Sequence, residues 1–191
     1  MNQTEILEVL SSTGAVLKGH FRLSSGRHSD YFVQKFRVFE HPRLTQSLGD
    51  EIARKFEGTF DVVASPAVGA IVLGFATALA AGVRMVFAER EEGSLAFRRG
   101  FTLAPHERTL VVEDVITTGG SAREVVDLVR SSGAVPVGIG ALIERVDPAR
   151  SADLGAPLRA LVRLEVESWD EAACPLCSAG HPLDDPGSRR L

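Results

Sequence analysis

Two adjacent carboxylates, Glu113 and Asp114, end the apolar run Leu110-Val111-Val112, and a Thr117-Thr118-Gly119-Gly120-Ser121 turn follows closely. Ala122, Val125, Val126 and Val129 then recur at helical spacing, so the turn opens a helix. Small residues there let backbone N–H groups approach a ligand, and the helix start offers the positive end of its dipole. The result is an anion site suited to a phosphate. The paired carboxylates beside it can accept hydrogen bonds from vicinal hydroxyls and attract a divalent cation, so a sugar phosphate satisfies both halves. A Walker loop would need a Lys where Ser121 stands, and a dinucleotide fingerprint would need G-x-G-x-x-G with its acid well after the glycines. The plain alternative is a strand–turn–helix with solvated acids. Paired acids followed by a cradle disfavour it.

The elements that must position these groups follow from periodicity. Thr4 to Leu10 reads as a short helix, and residues 20–40 as short strands with loops. Leu44, Leu48, Ile52 and Phe56 recur at i+4, which predicts an amphipathic helix over Arg43 to Phe56. Strands are expected at Phe60–Ala64, Val83–Ala88, Thr109–Glu113 and Val135–Ile143, with a helix ending near Ala81 and the signature helix between the last two strands. Strands alternating with helices predict an α/β fold with a mainly parallel central sheet and helices on both faces. Ligands of such sheets sit beyond the carboxyl ends of the strands. Residues 65–69, 89–100, 114–121 and 144–145 all follow predicted strands and are expected to converge on one edge.

A chain of 191 residues, 45% of them hydrophobic, can form one domain with a substantial core. Net charge −4 gives no general drive toward nucleic acid or an anionic membrane, so an anionic substrate must be held by local cations and backbone dipoles. Lysines are confined to Lys18, Lys35 and Lys55, leaving nearly all positive charge to Arg. Val62 to Val83 lacks charge over a membrane-spanning length, but Pro66 and Gly69 sit where a strand should give way to a turn and a helix. A buried strand–loop–helix is expected there. The N-terminus lacks the pattern of a signal peptide, and the expected location is cytoplasmic.

The segment VVEDVITTGGS resembles the signature of the phosphoribosyltransferases that use phosphoribosyl pyrophosphate (PRPP). Phe21-Arg22-Leu23-Ser24-Ser25-Gly26-Arg27-His28-Ser29-Asp30-Tyr31-Phe32 is similar to the F-x-L-x-S-G-x-x-S-x-Y-F segment of orotate phosphoribosyltransferases, and Glu144-Arg145 to that family's acid–Arg pair. The ending Cys174-Pro175-Leu176-Cys177…Pro186-Gly187-Ser188-Arg189 is similar to a bacterial subgroup associated with Thermus-like organisms. The resemblance covers nearly the whole chain. It implies the type I phosphoribosyltransferase fold, a core of about residues 41–160, and a small hood over the active site built from residues 1–40 and 161–191. It also implies transfer of ribose 5-phosphate from PRPP to orotate in pyrimidine biosynthesis, a homodimer, and Mg2+ bound mainly through PRPP.

Residue roles implied by the resemblance are as follows. Thr117, Thr118, Gly119, Gly120 and Ser121 hold the 5-phosphate, Val115 and Ile116 are among the PRPP-binding residues, and Glu113 and Asp114 hold the ribose hydroxyls. Arg90 contacts pyrophosphate, as does the Ser65–Gly69 loop. Arg98 and Arg99 could neutralise the leaving group, across a dimer or within one subunit, against the alternative of solvated surface charge. Arg145 meets the orotate carboxylate, with Thr117 and Ser24 near the base, and Ser25, Gly26 and Arg27 as further candidates. His28 could be catalytic, but a lone His is more often structural. Many family members carry Lys where Ser24 stands and a lysine-rich loop where this chain has Arg90 to Arg99.

Cys174-x-x-Cys177 with His181 supplies three potential zinc ligands, whereas a closed structural site needs four. The reading is therefore reduced cytosolic thiols and no metal held by protein ligands alone. Two rivals stand beside orotate transfer. One is a PRPP-dependent transferase acting on a purine or adenine. The other is a nucleotide-sensing regulator of the same fold that binds RNA or DNA, which the acidic balance and the lack of a basic stripe disfavour.

Overall fold

The computed structural model describes residues 1–23, 25–146 and 153–186. Ser24 and residues 187–189 of the C-terminal motif lie outside the described residues. Helix α1 (Gln3–Ser12) is followed by strands β1 (Val16–Arg22) and β2 (His28–Val33), a one-turn helix α2 (Phe36–Phe39) and helix α3 (Pro42–Lys55). Then come β3 (Val62–Pro66), α4 (Ile71–Ala81), β4 (Arg84–Glu91), β5 (Ser94–Phe97), β6 (Arg108–Ile116) and α5 (Gly120–Ser131). The described chain ends through β7 (Val135–Val146), β8 (Leu158–Glu165), β9 (Ser168–Trp169), a 3-10 turn at Glu171–Ala173 and α6 (Pro175–Ser178).

The main sheet has the order β5-β4-β3-β6-β7-β8, and every neighbouring pair is parallel except β4 with β5. Its strands are apolar on both faces because helices cover both. Leu48, Ile52, Leu73 and Ala78 from α3 and α4, with Ile6 and Leu10 of α1, pack with Val63, Leu110, Val112 and Leu142. On the other face Ala122, Val125, Val126 and Val129 of α5 pack with Val62, Ala64, Val111, Ile139 and Ala141. Burying each large aliphatic side chain contributes about 1.5–3 kcal/mol. The i+4 series of α3 places Leu48 and Ile52 at 0% exposure, which is why that helix was legible from its spacing alone. The uncharged stretch from Val62 to Val83 is indeed a buried strand followed by a helix. No helix among the described residues is long and apolar enough to cross a membrane.

Three elements differ from their sequence expectation. Residues 89–100 are not a loop but mostly a hairpin, with β4 extended to Glu91 and β5 pairing back from Ser94. Its two-residue turn has positive φ at both Glu92 (49°) and Gly93 (92°), the backbone that tight hairpins require. Strand β6 does not stop at the acids but runs on to Ile116, and β7 likewise continues past Ile143 through Glu144 and Arg145. Finally, β8 lies on the edge of the main sheet against β7, so residues 161–165 belong to that sheet and not to a cover. A separate three-stranded antiparallel sheet, β1-β2-β9, is built from the N- and C-terminal segments.

Candidate active site

Parallel pairing brings the carboxyl ends of β3, β4, β6 and β7 to one edge. Pro66 stands beside Ala88, and Ile116 beside Glu144. Glu113 and Asp114 sit in the last part of β6 at 7% and 1% exposure, so they are buried acids in a strand and not a solvated strand end. The Asp114 N–H donates to Glu113 Oε1 at 3.0 Å, and the Val115 N–H to Asp114 Oδ1 at 2.6 Å. Asp114 Oδ2 takes no well-aligned hydrogen bond, but Lys35 Nζ lies 2.6 Å from it and satisfies its charge.

Lys35 is a further candidate site residue that the sequence alone does not single out. It sits at the start of α2, nearly 80 residues before its partner, where periodicity says nothing about pairing.

Gly69 closes this pair from the other side. A Cβ there would lie 2.2 Å from Asp114 Oδ2 and 2.6 Å from Lys35 Nζ, so only glycine fits. The turn after β3 therefore reaches the acids, as expected of residues 65–69, but Ser65 itself does not. Its side chain is fully buried inside β3, and its hydroxyl faces Gly74 of α4.

Beyond the acids the chain turns sharply into α5. A concave pocket is lined by Glu113 and residues 115–122. Thr117, Thr118, Gly120 and Ser121 are exposed, whereas Ile116 is buried in the core and can present only its backbone. Gly119, at φ 75°, turns the backbone into α5, and no side chain caps that helix start. The first-turn N–H groups of a helix have no intrahelical acceptors, so they are available to an anion in the pocket.

Burial and repulsion from Asp114 push the Glu113 carboxyl up to about 8, far above its ordinary range. Asp114 has Lys35 at contact distance, and Glu113 carries the cost of a second negative charge in a nearly dry site.

The loop arginines each hold a glutamate. Arg90 makes a two-pronged pair with Glu124 of α5 at 2.7 and 2.9 Å and donates to the Gly93 carbonyl. Arg99 is paired with Glu89 at 2.7 Å, and Arg98 lies 3.5 Å from Glu91. Arg145, near the end of β7, is half-buried beside the cradle strand β6. Arg27 does not point into the site but ties the β1–β2 hairpin to Ser168 and Asp170. His28 is fully buried against His20, Cys174 and Cys177, which removes it from consideration as a catalytic group.

No family model matches the chain. An orotate phosphoribosyltransferase of Pelotomaculum thermopropionicum is 47% identical over 192 aligned residues, covering 100% of both chains. One from Desulforamulus reducens is 46% identical with the same coverage. Among solved structures, Mycobacterium tuberculosis orotate phosphoribosyltransferase in complex with inorganic phosphate is 28% identical. It covers 85% of this chain and 95% of that one, with a TM-score of 0.67.

Two outcomes follow from this geometry. Gly69→Ala forces the Asp114–Lys35 pair apart, and kcat/KM for the sugar-phosphate substrate should fall on the order of 100-fold. An unchanged value would mean that the loop does not press on the acids.

The second concerns pH. Glu113 ionises near 4.5 when unfolded and near 8 when folded. Between those values the folded chain holds a proton that the unfolded chain has released, so its contribution to stability is full below about 4.5 and is lost as pH rises toward 8. Denaturant midpoints measured across that window should fall with pH in the wild type and fall less in Glu113→Gln. Identical slopes would show that Glu113 does not carry the effect.

Proposed function

The chain belongs to the orotate phosphoribosyltransferase family, and from that premise we propose how its residues transfer ribose 5-phosphate from PRPP to orotate. The products are orotidine 5'-phosphate and pyrophosphate. The observation that carries the proposal is the juxtaposition, on one sheet edge, of two buried carboxylates, an uncapped helix start and a close-packed glycine turn.

The 5-phosphate of PRPP sits in the cradle of residues 117–121, held by first-turn N–H groups of α5 and the hydroxyls of Thr117, Thr118 and Ser121. Glu113 and Asp114 accept hydrogen bonds from the ribose hydroxyls. As pyrophosphate leaves, C1 of the ribose gains positive character, and the acids beneath the ring stabilise it electrostatically. The Gly69 turn approaches the pyrophosphate through its backbone, with Arg90, Arg98 and Arg99 as the nearest arginines in the loop region. Arg145 receives the orotate carboxylate in a two-pronged guanidinium contact. Orotate is already anionic, so no general base is required of this chain. The hard oxygen donor of Glu113 on the pocket wall fits Mg2+, which would enter mainly on PRPP and neutralise its pyrophosphate charge.

The functional unit we propose is a homodimer. Val68, Val72, Phe75 and Leu79 recur at spacings of four, three and four along the turn before α4 and α4 itself. They are 73%, 44%, 61% and 58% exposed. Four large apolar groups in one stripe favour burial against a second copy.

The direct test is spectrophotometric loss of orotate with PRPP and magnesium. Loss that needs both substrates and stops in excess chelator is expected. Consumption of adenine or guanine in place of orotate would overturn the assignment.

Arg145→Ala should lower kcat/KM for orotate by about 2–5 kcal/mol while leaving PRPP affinity nearly unchanged. Equal losses for both substrates would remove Arg145 from the base pocket. Phe75→Asp with Leu79→Asp should convert a dimer to a monomer in light scattering. A dimer that survives both charges would place the interface elsewhere.

A further inference from the structure

The fold gathers four metal-ligating side chains far from the phosphate cradle in sequence and in role. His20 Nε2, His28 Nδ1, Cys174 Sγ and Cys177 Sγ all lie within 4.8 Å of one another. His20, His28 and Cys174 are 4%, 0% and 1% exposed, while Cys177 stands at the surface.

The edges of this cluster can be compared with a metal tetrahedron. Zn–N bonds of about 2.0–2.1 Å and Zn–S bonds of about 2.3 Å at tetrahedral angles separate neighbouring ligand atoms by about 3.3–3.8 Å. The pairs here are 3.1 Å for the two nitrogens and 3.5 and 3.7 Å from His20 Nε2 to Cys174 and Cys177. Cys177 Sγ lies 3.2 Å from His28 Nδ1. These four of the six edges fall close to those of a tetrahedral site, and all six lie within 4.8 Å.

The tautomer of His20 is fixed for the purpose. Its Nδ1 lies 3.0 Å from the His181 carbonyl, which can only accept, so Nδ1 carries the proton and Nε2 presents its lone pair to the cluster. A backbone carbonyl in that position is the usual outer partner of a metal-bound imidazole. His181 therefore takes part through its main chain, and its ring is not the third ligand that Cys174-x-x-Cys177 suggested.

Each ligand is delivered by a local feature. The β1–β2 register slips between Lys18 and Phe21, where His20 sits, as at a bulge that re-aims a side chain. His28 opens β2 opposite Trp169 of β9. Cys174 caps the short helix α6, and Cys177 lies one turn on within it. The Asp184 N–H donates to the His20 carbonyl, and the Arg22 N–H to the Asp184 carbonyl, so the C-terminal segment also holds the strand that carries His20.

We propose that His20, His28, Cys174 and Cys177 bind one structural Zn2+ that staples the C-terminal segment to the β1–β2 hairpin. Two thiolates and two neutral imidazoles in a closed tetrahedral set suit zinc and leave no position for substrate. The small sheet needs such a staple. Its strands have 7, 6 and 2 residues, too few to bury a core of their own.

The test uses the full-length protein without a polyhistidine tag, purified from zinc-supplemented cells without chelator. Elemental analysis should find about one zinc per chain, retained through gel filtration. Replacing it with Co2+ should give the visible bands of a tetrahedral centre together with a thiolate charge-transfer band. His20→Gln, His28→Gln and Cys177→Ser should each lose the metal, whereas His181→Ala should keep it, because only the main chain of His181 is used. If a ligand variant does not fold, the wild-type metal content and cobalt spectrum decide the matter alone. A metal-free protein that takes up no cobalt overturns the proposal, as does a Cys174–Cys177 disulfide found by mass spectrometry in freshly purified protein. Loss of zinc in His181→Ala with retention in His20→Gln would overturn the ligand set.

Discussion

Two neighbouring carboxylates buried at the end of one strand set the terms for everything around them. Taking a charge out of water is costly, and a second of the same sign beside it is costlier still. The fold answers only half of that cost. Lys35 neutralises Asp114 at 2.6 Å, and Gly69 is bare so that the turn after β3 can close over both. Lys35 acts on Glu113 only at longer range, and burial with repulsion from Asp114 pushes the Glu113 carboxyl toward the protonated form. A ligand bringing hydroxyl donors, or a divalent cation, would stabilise the ionised form of Glu113.

That arrangement demands a platform that does not yield. The strands β3, β6 and β7 are apolar along most of their length and are covered on both faces, so the acids and the cradle are fixed by packed side chains on either side of the sheet. The cradle costs little more. It needs one left-handed glycine, an uncapped helix start and small polar residues, all within the five positions that end β6 and begin α5.

How much of this was legible in the sequence depends on the separation of the partners. The α3 series, the acid pair and the small-residue turn are each written within about a dozen residues, and the structure has α3 and a helix start after the turn where their spacing implied, although β6 runs on past the acids. The Lys35–Asp114 pair, the edge strand β8 and the union of His20 and His28 with the two cysteines are long-range contacts that no local period encodes. Cys174-x-x-Cys177 announced half of a metal set, and the other half lies on strands more than 140 residues earlier, each His looking like an isolated side chain. The β4–β5 hairpin could have been read, since Glu92-Gly93 separates Arg90 and Glu91 from the alternating Ser94-Leu95-Ala96-Phe97.

The chain also lacks the lysines that many relatives by resemblance place around pyrophosphate, and its arginines already hold glutamates. Those pairs are not an obstacle to the proposed role. Arg90, Arg98 and Arg99 are each about half exposed or more, and ion pairs of that kind contribute about 0–1 kcal/mol. Pyrophosphate presents several negative charges at once to guanidinium groups, which pair readily in two-pronged fashion with phosphate oxygens. In the proposed role, little stability would be lost when a glutamate is exchanged for such a ligand. Until then Glu89, Glu91 and Glu124 keep the loop cations ordered along the hairpin, and they balance a positive cluster that would otherwise attract any anion. In the proposed role, paired arginines in place of lysines would trade open electrostatic attraction for a set of donors already ordered along the hairpin.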